Sequence, residues 1–142
     1  MMMNPRAPRH WDTMPAHHPA ILYVENNAVL AQLVRDLFDM GDWHVSRAQN
    51  GVVAKMFLGS EERRYALLLV DNELHDITGI ELVKYARTLP HYKSLPIMLF
   101  SIEDCEREAK AAGANEFLRK PHDLYLLLDI ARRLIAAGGE KR

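Results

Sequence analysis

Four short apolar runs that each end in a polar residue, AILYVE, YALLLVD, SLPIMLFS and NEFLRK, constrain this chain more than any other feature. A fifth, weaker run, WHVSRA, lies between the first two. Runs of this length, rich in Ile, Val, Leu and aromatics and without polar alternation, suit strands buried on both faces. The segments between them have helical spacing. NNAVLAQLVRDLFDMG places Val29, Leu30, Leu33, Val34, Leu37 and Phe38 on one stripe, with Asn26 or Asn27 to cap its start and Gly41 beyond its end. NGVVAKMFLG follows with Asn50 as cap and Gly59 as stop, then GIELVKYARTLP to Pro90 and the charged EDCEREAKAAG. PHDLYLLLDIARRLIAA closes the series, with Pro121 near its start and a glycine pair after its end. The connections are too long for hairpins, so the alternation predicts an α/β domain: a parallel sheet with helices on both faces.

A chain of 142 residues is long enough for one such domain and its core. Residues 1–19 carry four prolines and no periodicity, which predicts a flexible tail before a domain spanning 20–137, with 138–142 as a second short tail. His10, His17 and His18 in that first tail lack the carboxylate or cysteine partners of a structural metal site. Lys and Arg number 18 against 19 Asp and Glu, so the chain lacks the basic footprint that binding a phosphate backbone demands. No apolar run approaches the ~18 residues of a membrane span, and the N-terminus lacks a secretory h-region. The single cysteine, Cys105, excludes an internal disulfide. These features predict a cytoplasmic protein that engages neither nucleic acid nor membrane.

In wound parallel sheets, ligands sit outside the carboxyl ends of the strands. Here those ends are Glu25, Asp71, Ser101 and Lys120. Singly, each has an ordinary explanation as a turn, a cap or a surface charge. Together they make chemical sense. Carboxylates from Glu25 and Asp71, the amide oxygen of Asn26 and the backbone carbonyl of Glu73 are hard oxygen donors suited to Mg²⁺. A carboxylate can also attack a phosphoryl group when positive charge neutralises the equatorial oxygens, which Mg²⁺ and Lys120 would supply, with Ser101 as hydroxyl donor. The set predicts a phosphoaspartyl switch.

At these residues the chain resembles the receiver domains of bacterial two-component response regulators. ILYVENN is similar to their first strand and acidic pair, LLLVDNELHDITG to their phosphoacceptor strand and loop, PIMLFS to their fourth strand, and GANEFLRKP to their Lys-Pro segment. The likeness covers residues 20–137 and is closest to chemotaxis-type, stand-alone receivers. It implies a flavodoxin-like (βα)5 fold with strand order 2-1-3-4-5. It implies Asp71 as phosphoacceptor, Ser101 as switch hydroxyl, Lys120 as the conserved-type lysine, Phe117 as the aromatic switch and a cis Lys120–Pro121 bond. The implied partners are a histidine kinase or phosphotransfer protein and a downstream target protein. With no further domain after Arg142, output would pass through protein contacts. The only catalysis implied is Mg²⁺-dependent self-phosphorylation from a phosphodonor and slow loss of the phosphate.

The sequence departs from that pattern at four places. Asn26 replaces the second acid of the pair, which should weaken Mg²⁺ binding. Ile102 stands where a small residue is usual, and is bulky and stiff next to the switch hydroxyl. His75 replaces the usual Pro, and Thr78 the usual Asp. Asn26 and Ile102 motivate the alternative of a degenerate receiver, an interaction module that works without phosphorylation. A metal-dependent hydrolase is a weaker option, since Glu73 sits where aspartyl phosphatases place an acidic Asp and no substrate cap is visible. The last helix is apolar nearly all round at its start, from Leu124 through Leu127, Leu128 and Ile130 to Ile135, a surplus that could serve a homodimer.

Overall fold

The structure is a computed structural model that describes residues 20–41 and 43–140. The tail expected over residues 1–19 lies outside the described residues. Strands β1 (Ala20–Val24), β2 (His44–Ala48), β3 (Leu67–Asp71), β4 (Ile97–Ser101) and β5 (Glu116–Arg119) form a five-stranded sheet, ordered β2-β1-β3-β4-β5. Every pairing is parallel. Helices α1 (Ala28–Asp39), α2 (Gly51–Gly59), α3 (Gly79–Thr88), α4 (Glu106–Ala112) and α5 (Leu127–Glu140) alternate with the strands. This is the architecture that the apolar runs predict.

Because side chains alternate across a strand, each strand feeds two separate cores. Leu22, Val24, Leu68, Val70, Ile97, Leu99 and Phe117 face α2, α3 and α4, meeting Ala54 and Leu58, Leu82 and Val83, and Ala109. Ile21, Tyr23, Leu67, Leu69, Met98, Phe100 and Leu118 face α1 and α5, meeting Ala31, Val34 and Phe38, and Leu127 and Ala131. All five residues of β3 and of β4 are buried, which is why those runs carry no polar alternation.

The helix starts follow their caps. Asn27, rather than Asn26, caps α1, its side chain accepting from the N–H groups of Val29 and Leu30. Asn50 caps α2 and Thr78 caps α3. The final helix differs from expectation at both ends. Asp123 closes a tight turn after β5, its N–H donating to the Arg119 carbonyl (2.8 Å) and its carboxylate accepting from the Arg119 N–H (3.0 Å). A single 3-10 turn, Leu124–Leu126, follows, and α5 begins only at Leu127. It then continues through Gly138 and Gly139 to Glu140 instead of stopping at the glycine pair. The Lys120–Pro121 peptide bond is cis.

Candidate functional site

Glu25, Asp71 and Ser101 are the buried polar or charged residues among those described, with exposures of 1%, 1% and 0%. All three stand at one rim of the sheet. Register puts them there: Val24 pairs with Val70, so Glu25 and Asp71 lie side by side where the strand order reverses, and Ser101 pairs with Arg119, one residue before Lys120. The Lys120 Nζ lies 2.7 Å from Asp71 Oδ1, which also accepts from the Glu73 N–H at 3.0 Å. With side-chain exposures of 13% and 2%, this ion pair is largely out of water, so breaking it by removing one partner leaves a buried charge uncompensated.

The neighbouring acid is held differently. Glu25 Oε2 accepts from the Asn27 N–H (3.1 Å) and Oε1 from the Tyr23 hydroxyl (3.3 Å), while the Arg47 guanidinium donates to its backbone carbonyl at 2.8 and 3.0 Å. Burial, then the adjoining Asp71 carboxylate, pushes the Glu25 carboxyl up to about 7. For Lys120, burial acts downward, but the hydrogen bond to Asp71 and the charges of Asp71, Glu25 and Glu73 outweigh it, so its ammonium is held above the usual lysine range. Burial and Glu25 together raise Tyr23. The site thus holds more negative charge than Lys120 alone can balance.

Glu73, in the loop after β3, completes the geometry. Its Oε2 accepts from the Ser101 hydroxyl at 2.5 Å, its Oε1 from the Ile102 N–H at 2.9 Å, and Lys120 Nζ lies 3.3 Å from Oε1. Ser101 Oγ in turn accepts from the Glu103 N–H at 3.0 Å. A hydroxyl, a backbone N–H and an ammonium therefore converge on one anionic group beside Asp71, as donors around an oxyanion do. The loop that carries Glu73 is fixed from below. Asn72 Oδ1 accepts from the Ile80 N–H at 3.0 Å, and Asp76 accepts from the Gly51 and Val52 N–H groups at 3.0 and 2.8 Å, tying the loop to the start of α2.

The structure brings Glu25, Asp71, Ser101 and Lys120 to one rim, but not every expected residue joins them. Asn26 directly follows Glu25 at the end of β1, and its side chain is half-buried. Phe117 is 8% exposed and packs in the core shared with α4. Ile102 does not crowd the site as its bulk suggests: it is 71% exposed and lines an open cleft with Glu103, Phe117, Arg119 and His122. His75 is exposed, and Thr78 serves as the α3 cap. The carboxylate of Glu73, a residue expected to contribute its backbone carbonyl and weighed as an acid only under the hydrolase option, is the group that sequence reasoning underrated. Its signal was present: an acid two residues beyond a strand-end Asp can fold back over it.

Two buried, abutting carboxylates with uncompensated charge are a donor set that Mg²⁺ fits, and the Glu73 backbone is tied to one of them through its N–H. Among the described residues, no three His, Cys, Asp or Glu side chains form a ready-made metal cage, so such an ion would retain several waters.

Comparison with known proteins agrees with this fold. A family model, the response regulator receiver domain, matches residues 21–132. The polar-differentiation response regulator DivK of Brucella anthropi is 26% identical over 105 residues, 72% of this chain and 84% of that protein. A chemotaxis protein CheY homolog of Campylobacter jejuni is 26% identical over 122 residues, 83% of this chain and 93% of that one. Among solved structures, chemotaxis response regulator CheY4 of Vibrio cholerae aligns with a TM-score of 0.74 at 28% identity, over 82% of this chain and 98% of that one. The receiver domain of a sensor histidine kinase from Pseudomonas aeruginosa, solved with a magnesium ion coordinated in its active-site cleft, aligns with a TM-score of 0.74 at 25% identity, over 84% and 98% of the two chains.

Proposed function

The chain belongs to the response regulator receiver domain family, a family of signalling modules, and from that premise we propose that Asp71 accepts a phosphoryl group from a histidine kinase or phosphotransfer protein. The observation that carries this reading is the buried contact of 2.7 Å between Lys120 Nζ and Asp71 Oδ1, with the Ser101 hydroxyl and the Ile102 N–H aimed at the same small volume. An Asp71 carboxylate oxygen attacks phosphorus in line, the bond from phosphorus to the donor breaks, and the leaving group departs with its electron pair. Asp71 becomes an acyl phosphate.

Each residue has a defined task in that step. Lys120, its ammonium secured by its carboxylate neighbours, keeps its proton and pairs with a phosphoryl oxygen. Ser101 and the Ile102 N–H donate to the other oxygens. Mg²⁺, when bound, would be held by Glu25, Asp71 and the Glu73 carbonyl, and would neutralise charge on the phosphoryl oxygens. Ser101 and Phe117 then share a route to the surface: Ser101 and Leu99 point to the same side of β4, and Leu99 pairs with Phe117 on β5. A change at the hydroxyl thus reaches the aromatic through one packed neighbour, and biases the cleft surface around α4 and β5 that a downstream protein would read. Water slowly removes the phosphate. The reading places the protein in the cytoplasm.

Incubation with acetyl phosphate and Mg²⁺ should add the mass of one phosphoryl group to the intact protein, and Asp71→Asn should abolish the addition. An unmodified wild-type mass after that treatment would overturn the proposal in favour of a receiver that works by protein contact without phosphorylation, the reading that Asn26, standing in place of a second acid, favours.

A further inference from the structure

We propose that the carboxylate of Glu73 is a built-in occupant of the phosphoryl-oxygen site, which holds Ser101 and Ile102 in the arrangement phosphorylation would impose and must leave before Asp71 can be phosphorylated. The inference rests on Asp71 being the phosphoacceptor.

The donors that a phosphoryl group on Asp71 would need are the groups Glu73 already engages. Its Oε2 holds the Ser101 hydroxyl, and its Oε1 shares the Ile102 N–H and the Lys120 ammonium. These are charge-assisted contacts, the stronger kind of hydrogen bond. Position makes the fit possible. The N–H of Glu73 donates to Asp71 Oδ1, a two-residue turn that sets the Glu73 Cα directly beyond the acceptor, and Asn72 and Asp76 pin the loop on either side. From that anchor the two methylenes of a glutamate span the distance to Ser101, and an aspartate is one methylene short. The carboxylate cannot share this volume with a phosphoryl group, since both need the same three donors. Exchange is also feasible, because the Glu73 side chain is 28% exposed and can swing outward without unpacking the core. Only the loop's own hydrogen bonds need to persist.

The arrangement has two consequences. Without phosphate, Ser101 and the backbone at Ile102 already have an anion in front of them, so the unphosphorylated chain sits close to the phosphorylated one. During phosphorylation, the incoming group competes with an intramolecular carboxylate, which slows uptake.

The experiment uses the full chain labelled with ¹⁵N, as wild type, Glu73→Ala and Glu73→Asp. The amide shifts of Ser101 and Ile102 are recorded before and after addition of acetyl phosphate and Mg²⁺, with uptake followed by intact mass. Before the donor is added, the Ile102 amide should lose its downfield, hydrogen-bonded shift in both variants. With the donor, both should take up phosphate faster than wild type, on the order of tenfold, and their Ile102 amide should return toward the wild-type position. Glu73→Asp keeps the charge and the loop anchor, so its agreement with Glu73→Ala would show that reach, rather than charge or loop folding, is what matters. An Ile102 amide unchanged in Glu73→Ala, or slower uptake in that variant, would overturn the inference. Amide shifts that move while no variant gains phosphate would instead sink the phosphoacceptor reading and leave Glu73 as a permanent occupant.

Discussion

Glu25 is the residue at which acidity and stability meet. Its carboxyl ordinarily titrates near 4.5 and in the folded chain is pushed up to about 7, by burial first and then by Asp71. The folded state therefore holds a proton that the unfolded chain releases between those values. That contribution is complete below about pH 4.5 and is lost as pH rises through about 7. Lys120, raised from its ordinary value, stays charged through the whole window and adds no slope there. Metal-free protein should thus melt at a lower temperature at pH 8 than at pH 6, and Glu25→Gln should flatten the difference. Equal pH dependence in wild type and variant would remove Glu25 as its source. Ile102, by contrast, should matter little to the fold: with its side chain mostly in water, Ile102→Ala is expected to change unfolding free energy by less than about 0.5 kcal/mol in urea melts. The four strand-end residues were legible because each closes a run whose period places it at the rim. The inward turn of Glu73 was not, because it depends on side-chain direction in a loop, where no periodicity constrains the chain.

Among the elements, α3 begins hard against the loop that follows Asp71. Gly79 opens it so close to β3 that an added Cβ would lie 2.7 Å from the Asp71 carbonyl oxygen and 2.8 Å from the Asn72 Cα. Backbone on that side cannot yield cheaply, so Gly79→Ala should cost roughly 1 to 3 kcal/mol and also reduce phosphate uptake, as read by denaturant melts and intact mass. Thr78→Ala removes only the cap to the Glu81 N–H, and should cost about 1 kcal/mol. Uptake that survives Gly79→Ala unaltered would mean that the loop tolerates displacement of α3. The first two helices were legible from apolar spacing with an Asn at each start, the third from its run up to Pro90 and the fourth from its charged stretch. The limits of α5 were not. Its start is delayed because Asp123 commits its backbone and side chain to Arg119, and its end runs past the glycine pair, which lowers helix propensity without forbidding the conformation.

For the molecule as a whole, strand order and layer arrangement followed from the alternation and the resemblance, because buried parallel strands leave few ways to cover both faces. The apolar excess expected of the last helix is absorbed in the fold. Leu127 and Ala131 are buried, and Leu124, Leu128, Ile130, Leu134 and Ile135 are each partly covered. Light scattering over a range of concentrations should accordingly give the mass of a single chain, and a mass that rises with concentration would point to a homodimer through another face. Mg²⁺ should raise the melting temperature more at pH 8, where Glu25 is ionised, than at pH 5.5, where it is protonated. The same increment at both values would place the ion away from Glu25.

The division of every strand between two cores has a bearing on how such a chain can diverge. Ser101, Leu99 and Phe117 lie on the α2–α4 side of the sheet, while the α1 and α5 side rests on residues of opposite parity. Substitutions accumulating beneath α1 and α5 can therefore remodel that flank, and the packing that joins Leu99 to Phe117 on the other side is inherited unaltered.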